Sequence, residues 1–306
     1  MINIGTRGSK LALWQANNVA ERLNRAGLAT NIVPIETKGD QLLAIPFSKM
    51  GSKGLFTEEI EIQLLNGTID IAVHSAKDVQ SHLPDELEII AFCEREKPND
   101  VLVSFDKDYS IAKSGKKIIG TSSTRRRAIL RHYYPDIELR EARGNLQTRF
   151  SKMEEKQFEA MILAYAGVHR MNLDAYVVEE LPLDVFTPAV GQGSVAVEIA
   201  ARLDDQKKDL IRKAVNHTET EIALRCERSY LYKLEGGCSI PSFGIAEVSG
   251  DTLFMRAGII SLDGSELIRK QISGSIEHPE ELGLELAEIV LASGGDKILE
   301  EIKRSR

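Results

Sequence analysis

The sequence predicts an α/β protein with two similar lobes and a smaller α+β domain at its C-terminal end. A strand, a turn of small residues and a helix follow one another at residues 2–23 and twice within residues 117–153. Polar segments with prolines at 94–99 and 181–188 indicate that the chain crosses to the second lobe and returns. The hairpin pattern at 253–272 indicates the third domain.

These signals give the domain limits that we predict. The first domain comprises residues 1–95 and, after the return crossing, about 192–215. The second domain comprises residues 99–188, and the third comprises residues 218–306. A chain of 306 residues is long enough for more than one core of ordinary size.

Composition and targeting signals predict a soluble cytoplasmic protein. Hydrophobic residues make up 42% of the chain and the net charge is −7. The longest apolar runs, at 87–93 and 258–262, are far short of a membrane-spanning helix. The N-terminal residues 1–10 lack the apolar core of a signal peptide.

The cysteines and histidines argue against structural disulfides and metal catalysis. The chain has three widely spaced cysteines, Cys93, Cys226 and Cys238, and no CxxC pair. Its six histidines form no HExxH arrangement. We therefore expect no metal.

The first lobe opens with a strand at 2–5, a turn that contains Arg7 and Ser9, and an amphipathic helix that ends at Gly27. A second strand follows at 31–36. Arginine alone is most often a surface residue. Its position at the carboxyl end of a strand makes Arg7 a candidate anion ligand.

A long segment without periodicity follows at 38–56 and contains three glycines. Loops of this length inside a compact domain are usually lids or binding loops. A helix capped by Thr57 comes next and ends at Gly67.

A buried strand at 69–73 leads directly into the polar segment 74–78, and another buried strand follows at 87–93. Lys77 and Asp78 thus lie where α/β proteins place their chemistry. The alternative is a loop ion pair that contributes little free energy.

The second lobe contains the strongest charge signal of the chain. Residues 120–149 hold seven arginines and three acids, a local charge of +4. Two strand-turn-helix units lie here, with Ser122 or Ser123 as the N-cap of the first helix and Asn145 as that of the second.

Three of these arginines, Arg125, Arg126 and Arg127, fall in the first turn of a predicted helix. Positive charge there opposes the helix dipole. An anion between the guanidinium groups and the free backbone N–H groups would remove this conflict. We infer a site for several carboxylates or phosphates; the alternative is a solvated basic face.

The return to the first lobe contains Gly191, Gly193 and Ala196 in the pattern G-x-G-x-x-A. No clean strand precedes it, so we reject a dinucleotide site and predict a helix start assisted by glycine.

The third domain opens with a predicted capping box at 218–221 and a helix that buries Cys226. Cys238 follows in a loop. A loop cysteine without a role is the alternative, but an accessible thiol is a liability and suggests a use.

Seven motifs along nearly the whole chain together resemble the porphobilinogen deaminase family, also called hydroxymethylbilane synthases. They are GTRGSKLALWQ (5–15), GSKGLF (51–56), HSAKDV (74–79), GTSSTRR (120–126), RGNLQTR (143–149), PAVGQG (188–193) and LEGGCSIP (234–241). The resemblance implies three domains, the first two with the fold of type II periplasmic binding proteins. It also implies a dipyrromethane cofactor, built from substrate and held by a thioether to Cys238.

The implied reaction joins four porphobilinogen units, with loss of ammonia at each step, and releases hydroxymethylbilane by hydrolysis. The resemblance assigns the catalytic role to Asp78 and Lys77. Cofactor binding is assigned to Cys238, Lys77, Asp78, Thr121, Ser122, Ser123, Arg125, Arg126, Arg143 and Gly144. Substrate binding is assigned to Arg7, Ser9, Arg126, Arg149, Arg170 and Gln192, and a lid over the cleft to Lys49, Lys53 and Phe56.

Each porphobilinogen carries an acetate and a propionate, which explains the need for many guanidinium groups. Three features depart from the family pattern: Ser242-Phe243 after Pro241, the small Ala76 before Lys77, and the segment 198–202, which is longer than usual between the glycine turn and Leu203. We expect a monomer that binds neither membrane nor nucleic acid. A noncatalytic receptor for anions is the main alternative, and it would not need Cys238.

Overall fold

The computed structural model describes residues 1–37, 57–113, 118–235 and 240–304. The strands are β1 (Ile2–Arg7), β2 (Thr30–Ile35), β3 (Ile71–Ser75), β4 (Leu87–Phe92), β5 (Asp100–Ser104), β6 (Ile118–Gly120), β7 (Glu138–Arg140), β8 (Ala160–Ala164), β9 (Val177–Glu180), β10 (Val195–Ala200), β11 (Ser242–Ser249), β12 (Thr252–Ile260) and β13 (Leu267–Ser275). The α-helices are α1 (Lys10–Arg25), α2 (Glu58–Asn66), α3 (Thr124–Tyr133), α4 (Leu146–Glu154), α5 (Tyr165–Arg170), α6 (Asp205–Val215), α7 (Thr218–Lys233), α8 (Pro279–Val290) and α9 (Asp296–Arg304).

The first lobe is built on a five-stranded sheet in the order β2-β1-β3-β10-β4. Strands β1, β2 and β3 are parallel, and β10 is antiparallel to both of its neighbours. Helices α1 and α6 cover one face, where Val19, Leu23 and Ile211 are buried against Ile4. Helix α2 packs on the opposite face through Ile60 and other apolar residues.

The second lobe repeats this topology with the order β7-β6-β8-β5-β9. Strand β6 is parallel to β7 and β8, whereas β5 is antiparallel to β8 and β9. In each sheet the antiparallel strand is the one that begins just after the chain has crossed from the other lobe. The two lobes are therefore topologically equivalent, with the ends of their parallel strands free to form one cleft.

The third domain is an antiparallel sheet, β11-β12-β13, covered by α7 and α8 around a separate apolar core. Phe243, in the position that departs from the family pattern, is fully buried. It packs in the core of the second lobe beside Ile260, and Arg269 lies over its ring. The predicted fold class, α/β with two similar lobes and a smaller α+β domain, is confirmed.

One prediction for the return crossing is wrong, because Gly191 and Gly193 lead into strand β10 and not into a helix. Both glycines have positive φ, 77° and 94°. A Cβ atom on Gly191 would lie 2.8 Å from the carbonyl carbon of Ala76, and one on Gly193 would lie 2.3 Å from Glu96 O. The glycines allow two chain segments to pass closely.

Of the predicted helix caps, Ser123 and Asn145 are confirmed, whereas Thr57 precedes α2 without a capping hydrogen bond from its side chain. The side chains of Ser9, Ser123 and Asn145 accept hydrogen bonds from backbone N–H groups at the starts of α1, α3 and α4. Helix α7 begins one residue earlier than the predicted capping box, with His217 as its N-cap. His217 Nδ1 accepts from Thr220 N at 3.3 Å, so a ring nitrogen takes the part of the expected hydroxyl.

Glu227 of α7 is fully buried and lies where the third domain meets the two crossing segments. Its carboxylate accepts two hydrogen bonds from Arg95 of the first crossing, at 2.7 and 2.9 Å. It also accepts from the backbone N–H groups of Gly191 and Ala246, at 2.8 and 2.7 Å. This contact joins both crossing segments to the third domain; the exact domain limits stay a prediction.

Candidate functional site

The candidate site begins where β1 and β3 end. Arg7 is the last residue of β1, and Ser9 lies in the turn that follows it. A single 3-10 turn after β3 contains Lys77 and Asp78. Because β1 and β3 are neighbouring parallel strands, these residues share one edge of the sheet. Arg7, Ser9 and Asp78 line a pocket with a volume of about 80 Å³.

His74, which the sequence places beside these residues, has a different role. It is buried, and its Nε2 atom lies 3.0 Å from Oε2 of the fully buried Glu198 on β10. Ser75 instead accepts a hydrogen bond from Gln15 of α1 at 2.9 Å. These contacts fix the end of β3 and so the position of the turn that carries Lys77 and Asp78.

On the second lobe, Arg125 and Arg126 are buried and share one carboxylate. Arg125 donates to Asp100 Oδ2 at 2.8 Å, and Arg126 donates to Asp100 Oδ1 at 2.7 Å. Arg126 also donates to the carbonyl oxygen of Ile162, and Arg125 to that of Thr187. The anion that the sequence led us to expect beside these arginines is thus, in part, a side chain of the protein itself.

Asp100 is held strongly in its ionised form. Its side chain is 0% exposed, and burial by itself would raise the pKa of this carboxyl. The charges of Arg125 and Arg126 and a hydrogen bond from Gln192, at 2.9 Å, outweigh burial and hold the pKa of Asp100 well below its usual value. A buried triad of this kind fixes the directions of both guanidinium groups.

Charges of each lobe act on groups of the other: Arg126 of the second lobe on Lys77 of the first, and Asp78 of the first lobe on Arg149 of the second. Burial lowers the pKa of Lys77, Asp78 opposes this shift, and Arg126 across the cleft adds to it. Burial, with the charge of Arg126, lowers the pKa of Arg149 to about 10, and Asp78 again opposes the shift. Asp78 therefore lies in a field of positive charge contributed by both lobes.

Neither of these two cations has an acid bound directly to it among the described residues. Arg149 uses its Nε atom to donate to the carbonyl oxygen of Gly144, at 2.9 Å. The guanidinium end of Arg149 and the ammonium group of Lys77 make no ion pair within the described ranges. They are suited to bind the carboxylates of a ligand.

The turn after β6 contains a hydroxyl group without a hydrogen-bond partner among the described residues. Ser123 caps α3, and its backbone N–H donates to Thr121 Oγ1 at 3.3 Å. Ser122 Oγ is buried and has no hydrogen-bond partner in the described part of the chain. A buried polar atom without a partner costs about 1–3 kcal/mol of stability. This hydroxyl therefore marks a position where a ligand can supply the missing hydrogen bond.

We expect the two neighbouring serines to differ in their effect on stability. Ser123→Ala should lower the free energy of unfolding by about 1 kcal/mol, because it removes the N-cap of α3. Ser122→Ala should cause no loss and should raise it by up to about 1–3 kcal/mol in the absence of ligand, because it removes a buried hydroxyl that has no partner among the described residues. Urea unfolding of both variants measures this difference. Equal losses would show that the Ser122 hydroxyl has a partner within the folded protein.

The turn after β7 holds Arg143 and Gly144. Gly144 has a φ of 103°, and a Cβ atom there would lie 2.7 Å from Cγ2 of Thr148. Arg143 Nε donates to Glu141 Oε2 at 2.9 Å. The turn therefore needs glycine, and Arg143 is already paired with a carboxylate of its own lobe.

Arg170 and Gln192 lie at the crossing between the lobes. Arg170 donates to the carbonyl oxygen of Gly193, and its guanidinium carbon lies 5.2 Å from the centre of the Trp14 ring. Gln192 donates to Asp100, as described above, and to the carbonyl oxygen of Pro98 at 2.6 Å. Their contacts support the junction, and substrate binding by these two residues stays a prediction.

Four predicted site residues lie outside the described residues: Lys49, Lys53, Phe56 and Cys238. Two contributors were absent from the sequence-based prediction, Asp100 and Glu141. Asp100 begins a strand right after a crossing segment, and an acid in that position beside an arginine-rich lobe is the signal that identifies it in retrospect.

No helix in the described ranges is long and apolar enough to cross a membrane, and these ranges contain no cluster of three metal-binding side chains.

The facing edges of the two equivalent lobes present arginines, a lysine and one aspartate. This arrangement defines a two-lobed protein with a cleft for ligands that carry several carboxylates. The family model described as porphobilinogen deaminase, dipyromethane cofactor binding domain, matches residues 2–209, and that described as its C-terminal domain matches residues 222–292. The chain belongs to the porphobilinogen deaminase family, a family of transferases in tetrapyrrole biosynthesis.

Relatives with the same name match over the full length. The porphobilinogen deaminase of Cytophaga hutchinsonii is 52% identical over 99% of this chain and 97% of its own length. That of Desulfosudis oleivorans is 47% identical over 100% of this chain and 99% of its own length. Among solved structures, the periplasmic VFT2 domain of Bordetella pertussis BvgS matches 70% of this chain and 86% of its own, with 15% identity and a TM-score of 0.43.

Proposed function

We propose that this chain carries out the reaction of its family with the residues described above: the stepwise joining of four porphobilinogen units to hydroxymethylbilane with release of ammonia. The observation that carries the assignment is the position of Asp78, which lies in a pocket and interacts with Lys77 of its own lobe and Arg149 of the other. A single acid surrounded by cations from two lobes suits a substrate with many carboxylates and a cationic transition state.

The described residues fit a dipyrromethane cofactor. The Ser122 hydroxyl and the guanidinium end of Arg149 offer hydrogen bonds that no group in the described part of the chain uses. Arg126 is held in a fixed direction by Asp100. We assign cofactor carboxylates to these groups. When bound, the cofactor supplies the nucleophilic pyrrole carbon to which the first substrate unit is joined.

Asp78 is assigned the catalytic role. A carboxylate there accepts hydrogen bonds from pyrrole N–H groups and stabilises the positive charge that develops as ammonia leaves. It can also take up the proton that leaves the ring carbon. Lys77, whose pKa is lowered by burial, binds a substrate carboxylate next to this acid. Its positive charge offsets the negative charges of Asp78 and of the bound carboxylate.

Substrate carboxylates are assigned to Arg7 and Ser9, which share the pocket with Asp78, and to Arg149. Cys238 is proposed as the point of covalent attachment, by a thioether. The lid function of Lys49, Lys53 and Phe56 belongs to the same proposal. The last four residues are supported by the family resemblance of their motifs.

Intact mass of the purified protein beside a Cys238→Ala variant tests this proposal. We expect the wild type to be heavier than its sequence by two linked pyrrole units, and the variant to have the mass of its sequence. Added porphobilinogen should be consumed by the wild type and should give species heavier by further units. A wild type that keeps its sequence mass after incubation with porphobilinogen would overturn the proposal.

A monomeric state, a cytoplasmic location and the absence of nucleic-acid binding complete the proposal. The monomer is proposed from the family resemblance. The net charge of −7 opposes binding to a polyanion. The location rests on the sequence-based prediction alone. Light scattering of the purified protein tests the monomer.

A further inference from the structure

Glu141 forms ion pairs with two arginines at the edge of the cleft. Its side chain follows β7 and lies between Arg127 and Arg143. The Arg143 Nε atom is 2.9 Å from Glu141 Oε2, and an Arg127 guanidinium nitrogen is 3.5 Å from Glu141 Oε1. Arg143 belongs to the turn whose Gly144 carbonyl accepts from Arg149, so this carboxylate lies next to the cations that are assigned to the ligand.

The pair formed by Glu141 differs from the Asp100 triad in its exposure. The Glu141 side chain is 51% exposed, whereas that of Asp100 is 0% exposed. Exposed ion pairs contribute little to stability and break at little cost. Removing one partner from a buried ion pair is strongly unfavourable. Asp100 is therefore a fixed part of the site, while Glu141 can leave its arginines.

We infer that Glu141 is an exchangeable carboxylate, which holds Arg127 and Arg143 until a carboxylate of the substrate or of the growing chain takes its place. The inference rests on the proposed function, in which Arg143 binds such carboxylates. Glu141 thereby lowers the affinity of the cleft for polycarboxylates. It is a residue that sets affinity and does not touch the reacting atoms.

Two effects follow from this exchange. Each ligand carboxylate that binds Arg143 must first displace Glu141, which subtracts the energy of the existing pair from binding. The displaced carboxylate stays nearby and repels the negative ligand. Both effects weaken binding of the substrate and of the linear tetrapyrrole product, and the second helps the product to leave.

The test is the Glu141→Gln variant of the holoenzyme, with Glu138→Gln as matched control. Glu138 pairs with the Nε atom of Arg140 at 3.1 Å, also two residues further along the chain, and is 56% exposed. Both changes remove one negative charge from the same strand and turn. Only Glu141 pairs with a residue that is assigned to the site, Arg143.

We expect KM for porphobilinogen to fall about two- to fivefold in Glu141→Gln relative to Glu138→Gln, which corresponds to about 0.4–1 kcal/mol. The kcat should stay equal or fall, because product leaves more slowly. Intact mass after one equivalent of porphobilinogen should show a larger fraction of chain-bearing enzyme in Glu141→Gln, which a purely structural role of Glu141 would not produce.

Equal KM values in the two variants, or a higher KM in Glu141→Gln, would overturn the inference and leave the proposed function in place. A higher KM would show that Glu141 positions Arg143 for binding. A wild type that consumes no porphobilinogen would overturn the proposed function and this inference together.

Discussion

The Asp78→Asn substitution is expected to lower kcat by about 100-fold or more while the protein keeps its fold. Asparagine preserves the shape of the side chain but removes the charge that stabilises the cationic transition state and the base that takes up the proton. Asp78 makes no ion pair at bonding distance within the described residues. The free energy of unfolding should therefore change by less than about 1 kcal/mol.

Turnover of porphobilinogen and urea unfolding measure the two parts of this expectation. Asp85→Asn is the control, since Asp85 is an exposed aspartate of the same segment. It should leave kcat unchanged. If Asp78→Asn retained near-normal turnover, Asp78 would have no part in catalysis, whatever its position in the pocket.

The second large effect is expected for Asp100→Asn, and it concerns stability. The substitution leaves the buried guanidinium groups of Arg125 and Arg126 without their shared counter-charge. Breaking a buried ion pair in this way costs about 3–5 kcal/mol. We expect the free energy of unfolding to fall by this amount, and KM to rise because Arg126 loses its fixed direction.

The pH dependence of this effect has a definite sign. The pKa of Asp100 is lower in the folded than in the unfolded protein. Its stabilising contribution is therefore complete above the unfolded pKa of about 4 and is lost as the pH falls through the folded pKa. The difference in stability between the wild type and Asp100→Asn should be constant near neutral pH and should shrink below about pH 4.

Asp136→Asn serves as control for this measurement, because Asp136 is an exposed aspartate of the same lobe. Its free energy of unfolding should stay within about 0.5 kcal/mol of the wild type at every pH. An Asp100→Asn variant as stable as this control would mean that the two arginines find other counter-charges, and the triad would not be a structural requirement.

The sequence by itself determined those features that depend on neighbouring residues. The strands and most helices follow from apolar periodicity and from local caps, and Ser123 and Asn145 cap the helices at which their positions pointed. The hairpin at Asp263-Gly264 was evident for the same reason. Lys77 and Asp78 could be named as site candidates because a strand end is a local signal.

Only the tertiary structure decided the features that join distant parts of the chain. Strand β10 was mistaken for a helix start, because its pairing partners β3 and β4 lie more than one hundred residues earlier. The role of Asp100 depends on arginines 25 and 26 residues further along the chain. The sequence showed an excess of arginine charge, but burial and contact decide which arginines are neutralised inside the protein and which stay available to a ligand.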